Sequence, residues 1–293
     1  MLILGLPHHA SAANSGYAWV RSDGQQVLEH GTAAAAVLPR SGEVVAVLPH
    51  SRVAWFRLTL PPGSHGPRLS AVLHGLLEER LLQEPESQHI AVPPNAAGVA
   101  RSGGTLWVAV CDKAWLRSAL APAQAAGLTV QRLVPECTPT PNPVLHGIDT
   151  SDGAQVVLCH ADGVQWLPDD PAHWSTHPVL TDPDLVLLAE PAWVEPLGTA
   201  LGRAPRVQTP AQRWLASCAS DWDLAQGEWA QGPRQRASRQ ALALWQNLRH
   251  APHLRPLRRG LLALLLVQVL GCRHWLGAKN APSRSNRPPC ATR

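Results

Sequence analysis

Lysine is nearly missing from this chain: Lys113 and Lys279 are the only two among 25 basic residues. There is one Phe and one Tyr against twelve Trp, a bias that reads as GC-rich coding and carries no chemistry. Paired cysteines are also missing. The six, at 111, 137, 159, 218, 272 and 290, show no CxxC and no regular spacing, which suits a reducing compartment and argues against a disulfide framework. A secretory leader is not recognisable. "MLILGLPHH" has no positive n-region and too short an apolar run, and reads as a first strand, so the bulk of the chain is expected in the cytoplasm. Phosphate-binding loops are missing too: there is no GxxxxGK[ST], no GxGxxG, and no Asp-x-Gly-x-[Thr/Ser] turn after the first strand. Ser102-Gly103-Gly104-Thr105 comes closest, but it precedes a strand and not a helix N-terminus, so a hairpin turn is expected there. Acidic residues stop at Glu228, leaving the remaining chain strongly basic.

What is present is enough for a core, since 45% of the 293 residues are hydrophobic, and the length accommodates two or three subdomains. Residues 43–49 and 53–61 are β-rich runs bounded by Pro, Gly and Ser, predicting a hairpin. Pro67 opens a helix in which Leu69, Val72, Leu73, Leu76, Leu77 and Leu81 follow i, i+3, i+4, i+7 spacing, with Glu78 and Glu79 opposite. Further strands are predicted at 87–92, 105–112 and 128–135, with a helix at 113–126 ended by Gly127. Residues 140–153 are rich in Pro, Thr and Gly and read as a junction. Beyond it a strand-turn-strand at 154–168, a buried strand at 184–190, and helices at 192–201 and 210–219 restart the pattern. The reading is α/β, with one lobe at 1–145 and a second at 146–231.

Candidate chemistry is thin. His8 and His9 are adjacent, and no third ligand is spaced to help, so a strand end is the simpler reading. Cys159-His160 beside Asp162 suggests a nucleophile, but neighbours alternate across a strand, so a core cysteine before a turn at Asp162-Gly163 is expected. Glu78-Glu79 face different directions and belong to a solvated helix face. No catalytic, cofactor or metal residue is assigned.

The C-terminal part splits into a basic juxtamembrane stretch, 232–259, a partial transmembrane helix, 260–278, and a tail, 279–293, expected to be disordered. The basic stretch includes Arg249, Arg255, Arg258 and Arg259; positive-inside bias explains them more simply than nucleic-acid binding does. The membrane residues are Leu261, Leu262, Leu264, Leu265, Leu266, Val267, Val269 and Leu270. Gly260 to Gly271 covers about 18 Å as a helix, against a bilayer core of about 30 Å. A longer span must include Arg273 and His274, so insertion is close to neutral.

The order of these segments resembles the type II secretion system protein L family. The resemblance rests on "VAVLPHSRVAWFRLTLPPG", "RLSAVLHGLLEERLLQEPESQHIAV", "WVAVCDKAWLRSALAPAQAAGLTVQRLVPE" and "DLAQGEWA", followed by the basic, apolar C-terminal stretch. It implies an actin-like (sugar kinase/Hsp70/actin) cytoplasmic domain of two or more α/β lobes, followed by one apolar C-terminal helix. It further implies a non-enzymatic scaffold in the inner membrane, single-pass and mostly cytoplasmic, with no cofactor. The implied partners are the secretion ATPase (E component), the M component, the platform F component and a second copy of the chain. An active actin-like ATPase or sugar kinase and a type IV pilus assembly adaptor are the alternatives. After Gly271 the sequence departs from the family, and its Arg-, Ser- and Pro-rich composition reads as a frameshift or truncation; an apolar continuation in another reading frame of the gene is the expected sign.

Overall fold

Val44–Leu48 is apolar at every position, which suits a strand covered on both faces. In the computed structural model it is strand β4, buried throughout, an interior strand of a five-stranded sheet. The structure describes residues 1–9, 16–150, 153–168, 174 and 177–230. β1 (Leu2–Gly5) and β8 (Arg132–Pro135) flank β4 in parallel, while β2 (Tyr17–Ser22) and β3 (Val27–Ala33) continue the sheet antiparallel beyond β1. The order is β3-β2-β1-β4-β8.

A second sheet repeats this plan. β9 (Val144–Thr150) takes the place of β1, and β10 (Gly153–His160) and β11 (Gly163–Leu167) run antiparallel on one side of it. β12 (Val186–Ala189) and β13 (Arg206–Val207) run parallel on the other, giving β11-β10-β9-β12-β13. The segment read as a junction therefore carries the central strand of this sheet. Pro and Thr precede that strand, but Leu145, Gly147 and Ile148 within it are buried.

Between β4 and β8 the chain inserts a small antiparallel sheet, β5 (Ala54–Leu60), β7 (Gly104–Asp112) and β6 (Gln88–Ala91) in that order. The hairpin expected between 43–49 and 53–61 does not form. β4 belongs to the first sheet, and after a 3-10 turn at His50–Arg52 the exposed-to-buried β5 pairs with β7 instead. Helix α1 (Pro67–Glu78) buries Leu73 and Leu77 against this sheet and leaves Glu78 and Glu79 exposed; it stops at Glu78, short of Leu81. Ser102-Gly103-Gly104-Thr105 is not a hairpin turn. It joins α2 (Ala96–Ser102) to β7, with φ of +80° at Gly103 and +136° at Gly104, conformations natural to glycine.

Strand alternation sends the side chains of the first sheet to two covers. Leu2, Leu4, Ala46 and Leu48 pack with Leu116, Ala119, Leu120 and Ala123 of α3 (Lys113–Ala125), whose N-terminus is capped by Asp112 accepting from the Trp115 amide. Ile3, Val45, Val47 and Val134 face Ala211 and Cys218. In the second sheet Leu145, Val156, Leu158 and Leu187 pack with Trp193 and with Leu197 of α4 (Val194–Leu201). Of residues 146–231, read as a second lobe, α5 (Pro210–Cys218) and Leu224 pack against the first sheet. Leu224 donates its amide to Leu133 O at 2.6 Å.

Two glycines separate crowding from propensity. A Cβ on Gly147 would lie 2.6 Å from Leu197 Cδ1 and 2.7 Å from Trp193 Cβ, whereas one on Gly75, exposed in α1, meets nothing within 4 Å. Gly147→Ala is expected to lower stability by about 1–3 kcal/mol and Gly75→Ala to raise it by about 0.5–1 kcal/mol, read from urea unfolding midpoints.

Candidate functional site

In open α/β sheets ligands bind outside the carboxyl ends of the parallel strands. Here those ends carry His50 after β4, Glu136 after β8 and Glu190 after β12. Glu136 donates its amide to Leu48 O and Glu190 its amide to Gly147 O, both at 2.9 Å, so each ladder is extended by one residue. Both carboxylates meet Arg213 of α5: Nε donates to Glu136 Oε1 at 2.9 Å, and Nη1 to Glu190 Oε1 at 2.6 Å. Trp214 Nε1 donates to the same Glu136 oxygen at 3.1 Å. The other oxygen, Oε2, accepts from the His50 amide at 3.2 Å and lies 2.9 Å from His50 Nδ1; His50 Nε2 lies 2.6 Å from Gln155 Oε1. All four charged or imidazole side chains are buried.

Burial alone pushes the Glu136 carboxyl up; the Arg213 charge and the His50 contact outweigh it and hold the group far below the usual carboxylate range. Arg213 shows the mirror case: burial opposes its charge, and Glu136 and Glu190 more than restore it. A cavity of about 320 Å³ adjoins this cluster, lined by Gly5, His8, Glu136, Asp149, Arg213 and Trp214 among others. The indole of Trp214 lies against Gly5 so closely that a Cβ there would clash with the ring. An anionic ligand in this cavity would meet Glu136 and Asp149, while the guanidinium already serves two carboxylates. The buried charges of Glu136, Glu190 and Arg213 are thus satisfied by one another.

Beside it lies a set of soft donors. Cys137, His146 and Cys159 place their ligand atoms within 4.8 Å of one another, with both cysteines buried and His146 partly so. The Cys137 thiol donates to Cys159 and, with a smaller contribution from His146, lowers the Cys159 thiol against the opposing effect of burial; Cys137 itself is raised. Spacing of 137, 146 and 159 matches no short motif, so the sequence alone marks no metal-ligating set. The core placement expected of Cys159 holds, and His160 accepts from the Asp162 amide at 3.4 Å. The turn is one residue earlier than expected, at Ala161-Asp162, because Gly163 already pairs with His160. His8 is 2.7 Å from Ser51 Oγ through its Nδ1, at the loop after β1. The membrane residues Leu261, Leu262, Leu264, Leu265, Leu266, Val267, Val269 and Leu270 and the basic Arg249, Arg255, Arg258 and Arg259 lie outside the described residues. Among the described residues no helix is long and apolar enough to cross a membrane.

A family profile for "Type II secretion system (T2SS), protein L" matches residues 2–146. Through this half, the chain belongs to the type II secretion system protein L family. A protein L relative from Vibrio cholerae serotype O1 (strain ATCC 39315 / El Tor Inaba N16961) is 28% identical over 158 residues, 54% of this chain and 34% of the relative. The match thus spans about a third of that protein L. The cytoplasmic domain of EpsL, an inner membrane component of the type II secretion system of Vibrio cholerae, matches in structure with a TM-score of 0.53 and 18% identity. That match covers 78% of this chain and 98% of the domain, and at this identity the likeness is one of fold. A PilM-PilN type IV pilus biogenesis complex gives a TM-score of 0.46 at 12% identity, covering 72% of this chain and 89% of that one.

The buried cluster has a measurable signature. Glu136→Gln leaves Arg213 with one carboxylate and is expected to cost about 3–5 kcal/mol, read by chemical denaturation at neutral pH. Because the folded Glu136 is depressed below its unfolded value of about 4.3, its stabilisation is complete above that pH and is lost as the pH falls further. The wild-type unfolding midpoint should therefore drop steeply below about pH 4.3, and Glu136→Gln should flatten that drop.

Proposed function

We propose that this chain is a non-enzymatic scaffold of a type II secretion inner-membrane platform, recruiting the cytoplasmic secretion ATPase and coupling it to the membrane partners of protein export. The observation that carries this reading is the protein L match over residues 2–146. The likeness of the described residues to nearly the whole EpsL cytoplasmic domain supports it. In this reading the fold is actin-like, and the repeated five-stranded sheet supports that assignment. One lobe is centred on the first sheet and one on the second. The basic stretch 232–259 lies at the cytoplasmic membrane face, and 260–278 is the membrane segment. The M and F components and a second copy of the chain complete the assembly.

The strand-end cavity supports a scaffold over an actin-like ATPase or sugar kinase, since its one arginine is neutralised by two glutamates. A tagged full chain should retain its cognate secretion ATPase in a pull-down and show no ATP hydrolysis above background by itself. Failure to retain the ATPase, or turnover abolished by Arg213→Ala, would remove the scaffold reading. Bacterial membrane fractionation checks the localisation, with the chain expected in the inner-membrane fraction.

A further inference from the structure

His146 and Cys159 are placed by strand register. His146 on β9 pairs with Val157 on β10, and Cys159 lies two residues beyond Val157 on the same face. That makes His146 and Cys159 diagonal neighbours across an antiparallel pair, within reach of side chains. Cys137 arrives from elsewhere, two residues after β8 and directly after Glu136, and packs with Ile148, Val157 and Cys159. The donors of all three converge within 4.8 Å. His146 Nδ1 is buried and makes no hydrogen bond, an orphaned donor-acceptor that a core does not leave without reason.

We propose that Cys137, His146 and Cys159 bind one zinc ion, which fastens the chain leaving the first sheet to the β9–β10 hairpin of the second. Two thiolates and an imidazole are a donor set for zinc, with metal-ligand distances of about 2.3 Å to sulfur and 2.0–2.1 Å to nitrogen. Tetrahedral geometry then requires donor separations of about 3.5–3.8 Å, reached by a small contraction of the present cluster. On binding, each thiol releases its proton, two Zn–S bonds form, and the imidazole lone pair supplies the third bond. The ion and two thiolates sum to zero charge, so nothing is added to the carboxylate next door at Glu136. No fourth His, Cys, Asp or Glu joins the group among the described residues, leaving the fourth position to water. A disulfide between Cys137 and Cys159 would use neither His146 nor its free Nδ1.

The test uses the full chain, purified in reductant and stripped with a chelator, then titrated with zinc alone and with cobalt(II) alone. One zinc per chain is expected, together with a thiolate-to-cobalt charge-transfer band. Zinc should protect Cys137 and Cys159, and not Cys111 or Cys218, from alkylation mapped by mass spectrometry. Cys137→Ser and His146→Gln should each weaken zinc binding on the order of 100-fold or more, beyond the 10–100-fold typical of outer-shell changes. Cys272→Ser/Cys290→Ser should leave binding unchanged. The alkylation map on wild-type protein decides the question even if a variant does not fold. Substoichiometric zinc, a cobalt spectrum without the charge-transfer band, zinc that leaves Cys137 and Cys159 open to alkylation, or a Cys137–Cys159 disulfide in metal-free protein without reductant would each overturn the proposal.

Discussion

Glu136 and Arg213 are 77 residues apart in sequence and 2.9 Å apart in the fold. Their ion pair is the constraint around which the rest is arranged. Glu136 belongs to the end of the first sheet, and Arg213 to a helix that the chain reaches only after building the second. Glu190, at the end of a strand of the second sheet, takes the other side of the guanidinium. A buried pair of this kind contributes little net stability compared with a well-packed apolar substitute. Its effect lies in what it forbids, because any arrangement that separates the two sheets' strand ends leaves a buried charge without a partner.

The repeated sheet makes such a joint necessary. Each sheet has one central strand with antiparallel neighbours on one side and parallel neighbours on the other, so each presents parallel carboxyl ends. In many α/β proteins that place is a ligand crevice. Here the side chains of His50, Glu136, Glu190 and Arg213 pair with one another beside a cavity of about 320 Å³, and Trp214 lies on Gly5. The helix carrying Arg213 and Trp214 covers one face of the first sheet, so that packing and the ion pairs depend on the same nine residues, Pro210–Cys218.

This construction satisfies the strand-end charges from within the chain. In a chain that matches protein L over residues 2–146, Arg213 at the strand ends is given over to pairing with Glu136 and Glu190. Consecutive residues divide the labour: Glu136 enters the charged joint, and Cys137 enters the thiol and imidazole group on the neighbouring side.

Much of the secondary structure was readable locally. Val44–Leu48 shows its burial by being apolar throughout, and Pro67 and Gly127 mark helix limits through backbone chemistry that needs no neighbours. The family, too, was readable, because ordered segments survive in sequence. β2 and β3 were not, since the exposed Arg21, Glu29 and His30 break their apolar pattern, β3 being the edge strand of the sheet. The false hairpin between β4 and β5 arose because strand propensity does not say which sheet a strand joins. Both candidate sites depend on contacts over long separations: Glu136 with Arg213, and Cys137 with His146 and Cys159. No spacing rule encodes these, since their neighbours in space are set by how two sheets pack. The sequence determined most of the elements, the covered strand and the family; only the tertiary structure decided that two glutamates share one arginine and that two cysteines and one histidine converge.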